Sequence, residues 1–147
     1  MDSEGSITTT KIKIGISSCL LGEKVRFDGG HKQNQYILNT LQHYFEFHPF
    51  CPEVAIGLGI PREPIRLTKQ AEKIKCVGTK NPNIDVTEPL QTIADEQHSW
   101  HAQISGYILK KDSPSCGMER VKVYEQSMPE KIGVGLYAQK LMTNFPN

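Results

Sequence analysis

No apolar run among these 147 residues approaches the roughly 20 that a membrane-spanning helix requires. Closely spaced cysteines are missing as well. Cys19, Cys51, Cys76 and Cys116 stand far apart, so the local C-x2-C signature of zinc fingers and ferredoxins is absent. Neither sign of charge is in excess: 17 Lys and Arg face 16 Asp and Glu, and the net +1 argues against a strongly basic nucleic-acid binder while leaving room for a local basic rim. Residues 1–10 are polar and acidic, without the positive start and apolar stretch of a secretory signal. The expected compartment is therefore the cytoplasm. Glutathione and thioredoxin keep thiols reduced there, which makes well-placed cysteines candidate ligands or nucleophiles rather than disulfide partners.

What is present reads as one ordinary globular domain, 37% apolar and 22% charged, preceded by a flexible tail over 1–10. Ile12, Ile14 and Ile16 alternate with Lys13 and Gly15, which predicts a strand leading into Ser17-Ser18-Cys19. Tyr36, Ile37, Leu41, Tyr44 and Phe45 recur at helical spacing and predict one amphipathic helix over 32–45. Phe45, Phe47 and Phe50 then suggest a short strand ending at Cys51, followed by a long loop punctuated by Gly57, Gly59, Pro61 and Pro64. A small hairpin is expected around 74–77. Thr87 reads as the N-cap of a second helix with Leu90, Ile93, Ala94 and Trp100 as its buried stripe. A strand over 106–110, an edge strand over 121–124 and a final helix over 134–142 complete the pattern, and no internal repeat is visible.

Strands alternating with helices favour a Rossmann-like α/β domain over 11–147 with a largely parallel sheet and right-handed crossovers. Ligands of such sheets bind beyond the carboxyl ends of the strands. Cys19, Cys51 and Cys116 each lie in a Gly-, Ser- or Pro-rich loop just past an expected strand, so the topology predicts that they meet at one edge. Three thiolates suffice to hold three irons of a cubane cluster and leave the fourth free for another ligand. Two rival readings remain: four unrelated cysteines, or a three-cysteine zinc site completed by water or by His31, His43 or His48. Cys76 lies in an alternating segment without turn residues and reads as a non-ligand.

Five blocks then carry a resemblance. They are Ser18-Cys19-Leu20-Leu21-Gly22, Val25-Arg26-Phe27-Asp28-Gly29-Gly30-His31-Lys32, Cys51-Pro52-Glu53-Val54, Gly57-Leu58-Gly59-Ile60-Pro61-Arg62 and Ser113-Pro114-Ser115-Cys116-Gly117. In this order they resemble the TudS-type thiouracil desulfidases, formerly a domain family of unknown function. The resemblance implies an oxygen-sensitive [4Fe–4S] cluster held by Cys19, Cys51 and Cys116, and non-redox removal of sulfur from thiolated uracil compounds with release of hydrogen sulfide. Phe27 stands where the family commonly has Tyr, so a hydroxyl role is lost there. The chain is too short for the RNA-associated second domain of some relatives; a free base, nucleoside or nucleotide such as 4-thio-UMP is the expected substrate, and intact tRNA is disfavoured.

Such a reaction needs a group that takes a proton from water and returns one to ring or sulfur. Glu53, aimed by the turn at Pro52, is the first choice, and the resemblance points to Ser113 as its catalytic companion. Ser115 is a candidate to hydrogen-bond the substrate. Asp28 has two credible roles, a bond to the substrate or an Asx-turn with Gly29 at positive φ. Arg26, His31, Lys32, Arg62 and Lys110 are candidates for a rim that receives a phosphate. Two functions of other classes stand beside this one: an iron–sulfur or sulfide carrier, and a thiolated-RNA-binding module, the latter weakened by the absence of interleaved aromatic and basic motifs.

Overall fold

The alternation at 12–16 builds β1 (Ile12–Ser17), whose side chains become buried only towards its carboxyl end. The computed structural model describes residues 11–125 and 128–146, and the segment 1–10 read as a tail lies outside them. β1 pairs in parallel with β2 (Phe45–Phe50) along its whole length, from Ile12 opposite Phe45 to Ser17 opposite Phe50. On its other side it pairs in parallel with β5 (Gly106–Ile108), Ile16 lying opposite Ile108. All three strands therefore end at the same edge.

The expected single, largely parallel sheet is corrected here to two sheets. A second, four-stranded one runs in the order β4 (Lys73–Gly78), β3 (Ile65–Gln70), β6 (Val121–Tyr124), β7 (Glu130–Gly133), with only β3 and β6 parallel. Its hairpin is longer than the expected 74–77, because Ala71 and Glu72 both take positive φ and close a tight turn between β3 and β4. β6 is an interior strand rather than an edge: Val121 and Val123 are buried with Leu67, Cys76, Val86, Leu90 and Leu136 in one core.

The helix expected over 32–45 is cut short. Asn34 caps α1 (Gln35–Asn39) by accepting the Ile37 N–H, and Thr40 leaves helical geometry before a 3-10 turn at Leu41–His43. Tyr36 and Tyr44 are exposed, so only Ile37 is fully buried where a stripe was expected. The N-cap position of α3 (Thr87–Glu96) falls on Val86; Thr87 instead accepts the Cys76 N–H with its hydroxyl oxygen and donates that hydroxyl to Asp85, tying helix to strand. Trp100 sits on a separate turn, α4 (His98–His101), and stacks on His48 at 4.1 Å. α5 (Leu136–Asn144) packs beside α3. Among the described residues no helix is long and apolar enough to cross a membrane.

Behind β5 a polar chain is buried in aromatic surroundings. His101 Nε2 lies 2.6 Å from the Tyr137 hydroxyl, which lies 3.1 Å from that of Tyr107. Burial, with His98 and His48 nearby, pulls the His101 imidazole down from 6.5 to about 4. The unfolded chain takes up that proton more readily, so the stability from neutral His101 is complete above pH 6.5 and declines as pH falls towards 4. Urea unfolding of wild type should show this decline, and His101→Phe should flatten it while costing about 1–2 kcal/mol at neutral pH through the lost hydrogen bond.

Candidate functional site

Each strand of the parallel sheet hands on to one cysteine. β1 runs into a 3-10 turn at Ser18–Leu21 that carries Cys19, whose carbonyl accepts the N–H groups of Gly22 and Lys32. β2 runs into Cys51, which stands at the N-cap of the short α2 (Pro52–Ala55). Past β5 the chain is pinned to β1 by the Lys110 N–H, which donates to Ser17 Oγ at 3.0 Å, and then enters the loop of Cys116. Ser113 Oγ shapes that loop by accepting the N–H groups of Ser115 and Cys116 at 3.2 and 3.0 Å. The start of α5 locks it from behind, since the N–H groups of Gly135, Leu136 and Ala138 donate to the carbonyls of Gly117, Pro114 and Ser115. Cys19, Cys51 and Cys116 all line one cavity of about 210 Å³, as do Glu53, Ser113 and Ser115.

A directed hydrogen-bond chain crosses the cavity wall. Ser115 Oγ donates to Glu53 Oε2 at 2.8 Å, and Ser113 Oγ, its lone pairs occupied by two backbone N–H groups, stands 3.0 Å from Ser115 Oγ as the donor left to it. Arg62 holds the other carboxylate oxygen, with Nε and Nη2 donating to Glu53 Oε1 at 3.1 and 2.9 Å. A carboxylate so arranged has one oxygen held by a guanidinium and the other turned to a pair of hydroxyls.

A model of the 2-thiouracil desulfurase family matches residues 14–147. The chain belongs to that family. YbbK, an uncharacterized protein of Bacillus subtilis (strain 168), is 32% identical over an alignment of 108 residues that covers 69% of this chain and 71% of that protein. Among solved structures the chain is similar to the [4Fe-4S]-dependent thiouracil desulfidase TudS, with a TM-score of 0.68 and 31% identity over 91% of this chain and 87% of that one. The resemblance drawn from the five sequence blocks is thereby shown.

The donor chemistry of this family member suits a soft, multi-centred group. Burial pushes the thiols of Cys19 and Cys51 up, and that of Cys116 up to about 12 even though the Ser17 and Ser115 hydroxyls pull it down. Such thiols stay neutral unless a metal takes the proton's place. Among the described residues no three His, Cys, Asp or Glu side chains come together tightly enough for a single metal ion, and His31, His43 and His48 are not on the cavity wall. Cys19, Cys51 and Cys116 line the shared cavity, and thiolates are the donors that iron–sulfur clusters take.

Arg26, Arg62 and Lys110 reach the cavity, whereas Asp28, His31 and Lys32 do not. Asp28 Oδ1 accepts the Gly30 N–H at 2.8 Å with Gly29 at φ +79°, the Asx-turn of its two expected roles. Arg62, expected on a phosphate rim, turns its guanidinium to Glu53. Cys76 is fully buried in the core of the second sheet and does not line the cavity. Ser17 and Asp112 are polar wall residues that were not among the sequence candidates: Ser17 was signalled only as the first of two serines closing an apolar strand, and Asp112, at φ +65°, by nothing local.

Gly135 is where the cysteine loop and α5 touch. A Cβ there would lie 2.6 Å from the Ser115 carbonyl carbon and 2.7 Å from the backbone nitrogens of Cys116 and Gly117, none of which is a flexible side-chain tip. Gly135→Ala should destabilise the protein by about 1–3 kcal/mol and push the Cys116 loop out of place; a lowered thermal unfolding midpoint checks it.

Proposed function

We propose that the protein is a [4Fe–4S]-dependent desulfidase that converts thiolated uracil compounds, as free base, nucleoside or nucleotide such as 4-thio-UMP, to the uracil compound and hydrogen sulfide. The observation that carries this reading is the sharing of one cavity by Cys19, Cys51, Cys116 and the Ser113–Ser115–Glu53 chain. Cys19, Cys51 and Cys116 hold the cluster. When bound, a cluster with one iron free of protein thiolate supplies a thiophilic Lewis acid for the substrate's thiocarbonyl sulfur.

The chain's own groups perform the rest. Glu53 takes a proton from the water that adds to the thiocarbonyl carbon, and the Ser115 hydroxyl, oriented by that of Ser113, relays protons beside it. Both protons of the water end on the departing sulfur, its oxygen stays on the ring, and no net electrons move. Phe27 and Phe50 line the cavity and supply apolar surface for a pyrimidine. Arg26 and Lys110 receive the phosphate of a nucleotide; burial lowers the Lys110 pKa, while Asp112 and the Cys19 thiol oppose that shift. Such chemistry suits a reducing compartment, the cytoplasm, where free thiols persist.

Anaerobic purification with iron and sulfide quantitation, followed by turnover of 2-thiouracil and 4-thio-UMP, tests the reading. Cys19→Ser, Cys51→Ser and Cys116→Ser should each lose iron, and Cys76→Ala should keep it. Glu53→Ala should keep iron and lose about 100-fold or more in turnover. Unchanged turnover in that variant would remove Glu53 from the chemistry, and a wild type that carries iron and sulfide without turnover would make the protein a carrier.

A further inference from the structure

Arg62 is a nearly buried cation of the cavity wall, its side chain 6% exposed beside a Glu53 side chain 14% exposed. Each of its three guanidinium nitrogens has a partner. Nε and Nη2 donate to the same oxygen of Glu53, and Nη1 donates to the Gly59 carbonyl at 2.9 Å. Its backbone N–H is bound in turn, donating to the Phe27 carbonyl at 2.7 Å. Arg62 therefore joins three parts of the wall: the loop after α2, the Phe27 segment and the carboxylate next to Cys51.

From this geometry we infer that Arg62 is a positioning residue for Glu53 and not a receptor for the substrate's phosphate, an inference that rests on the desulfidase reading above. Its charge is matched by Glu53 at 2.9 Å, leaving no free cation to offset a dianion. The fork also decides which oxygen does chemistry. With Oε1 occupied by two N–H groups, Oε2 is the oxygen left to face Ser115, and rotation of the carboxylate would break both bonds to the guanidinium. A lysine supplies a point charge but cannot hold Oε1 and the Gly59 carbonyl in the same plane. Phosphate recognition then falls to Arg26 and Lys110, which line the same cavity without a carboxylate partner among the described ion pairs.

The test compares Arg62→Lys, Arg62→Met and Lys110→Met with wild type, all anaerobically reconstituted. Steady-state turnover of 2-thiouracil and 4-thio-UMP is measured, with calorimetric affinity for UMP and iron per chain as readouts independent of turnover. Arg62→Lys keeps a charge opposite Glu53 and so preserves the fold should Arg62→Met not. In either Arg62 variant kcat should fall by about tenfold or more, the order expected for one lost charged hydrogen bond, equally for both substrates. KM, UMP affinity and iron content should stay near wild type. Lys110→Met should weaken UMP binding and raise KM for 4-thio-UMP by more than it raises KM for 2-thiouracil. Arg62 variants that weaken UMP binding and raise KM for the nucleotide alone, or that leave kcat unchanged, overturn the inference while active wild type leaves the desulfidase reading standing. Wild type that holds iron but releases no sulfide from either substrate overturns both.

Discussion

Parallel pairing of β1 with both of its neighbours is the constraint on which the site depends. A parallel strand must be reached by a crossover, so cysteines 32 and 65 residues apart in sequence order cost the chain long excursions before they meet. The return is that Ser17, Phe50 and Ile108 all stop at one edge, and three loops leave from it side by side. Ser17 turns this topological coincidence into fixed geometry. Its hydroxyl oxygen accepts the Lys110 N–H, so the loops that carry Cys19 and Cys116 cannot drift apart without breaking a bond inside the wall.

The cavity is also an electrostatic compromise. Two buried thiols and a half-buried one prefer to be neutral, and the Glu53 carboxylate makes their ionisation harder still. A Glu53 carboxylate left alone in this wall would be costly, and Arg62 offsets that cost. Arginine rather than lysine fits here because the same group must satisfy a carbonyl, a carboxylate and a fixed orientation together.

The edge where the cysteines gather was legible in the sequence because its signals are local and strong: an Ile-Lys-Ile-Gly-Ile alternation, then Ser-Ser-Cys; an aromatic alternation, then Cys-Pro-Glu. The second sheet was not. Its hairpin turns through Ala71 and Glu72, which lack the Asn-Gly or Asp-Gly chemistry that advertises such a turn, and β6 reads as an edge strand until Val121 and Val123 find β3 and β7. The helix over 32–45 failed for a related reason. Tyr36 and Tyr44 have the spacing of a buried stripe, yet Asn34 and Thr40 fix where the helix can start and stop, and both rings remain outside. Arg62 could be placed at the site from sequence but not opposite Glu53, since its partner is defined by a fold in the loop and not by spacing.

The second sheet serves the site through α5. After β7 the chain reaches Gly135 and begins a helix whose first N–H groups have no partners within the helix. The carbonyls of the Ser113–Gly117 loop supply them, so a loop that would otherwise be a mobile surface turn becomes the cap of a buried helix. Leu136 is anchored in the core of the second sheet and Tyr137 in the cluster that contains Cys116, so displacing the cysteine loop would require uncapping α5 and disturbing two cores at once. The parallel sheet brings the third cysteine to the edge, and the rest of the fold keeps it there.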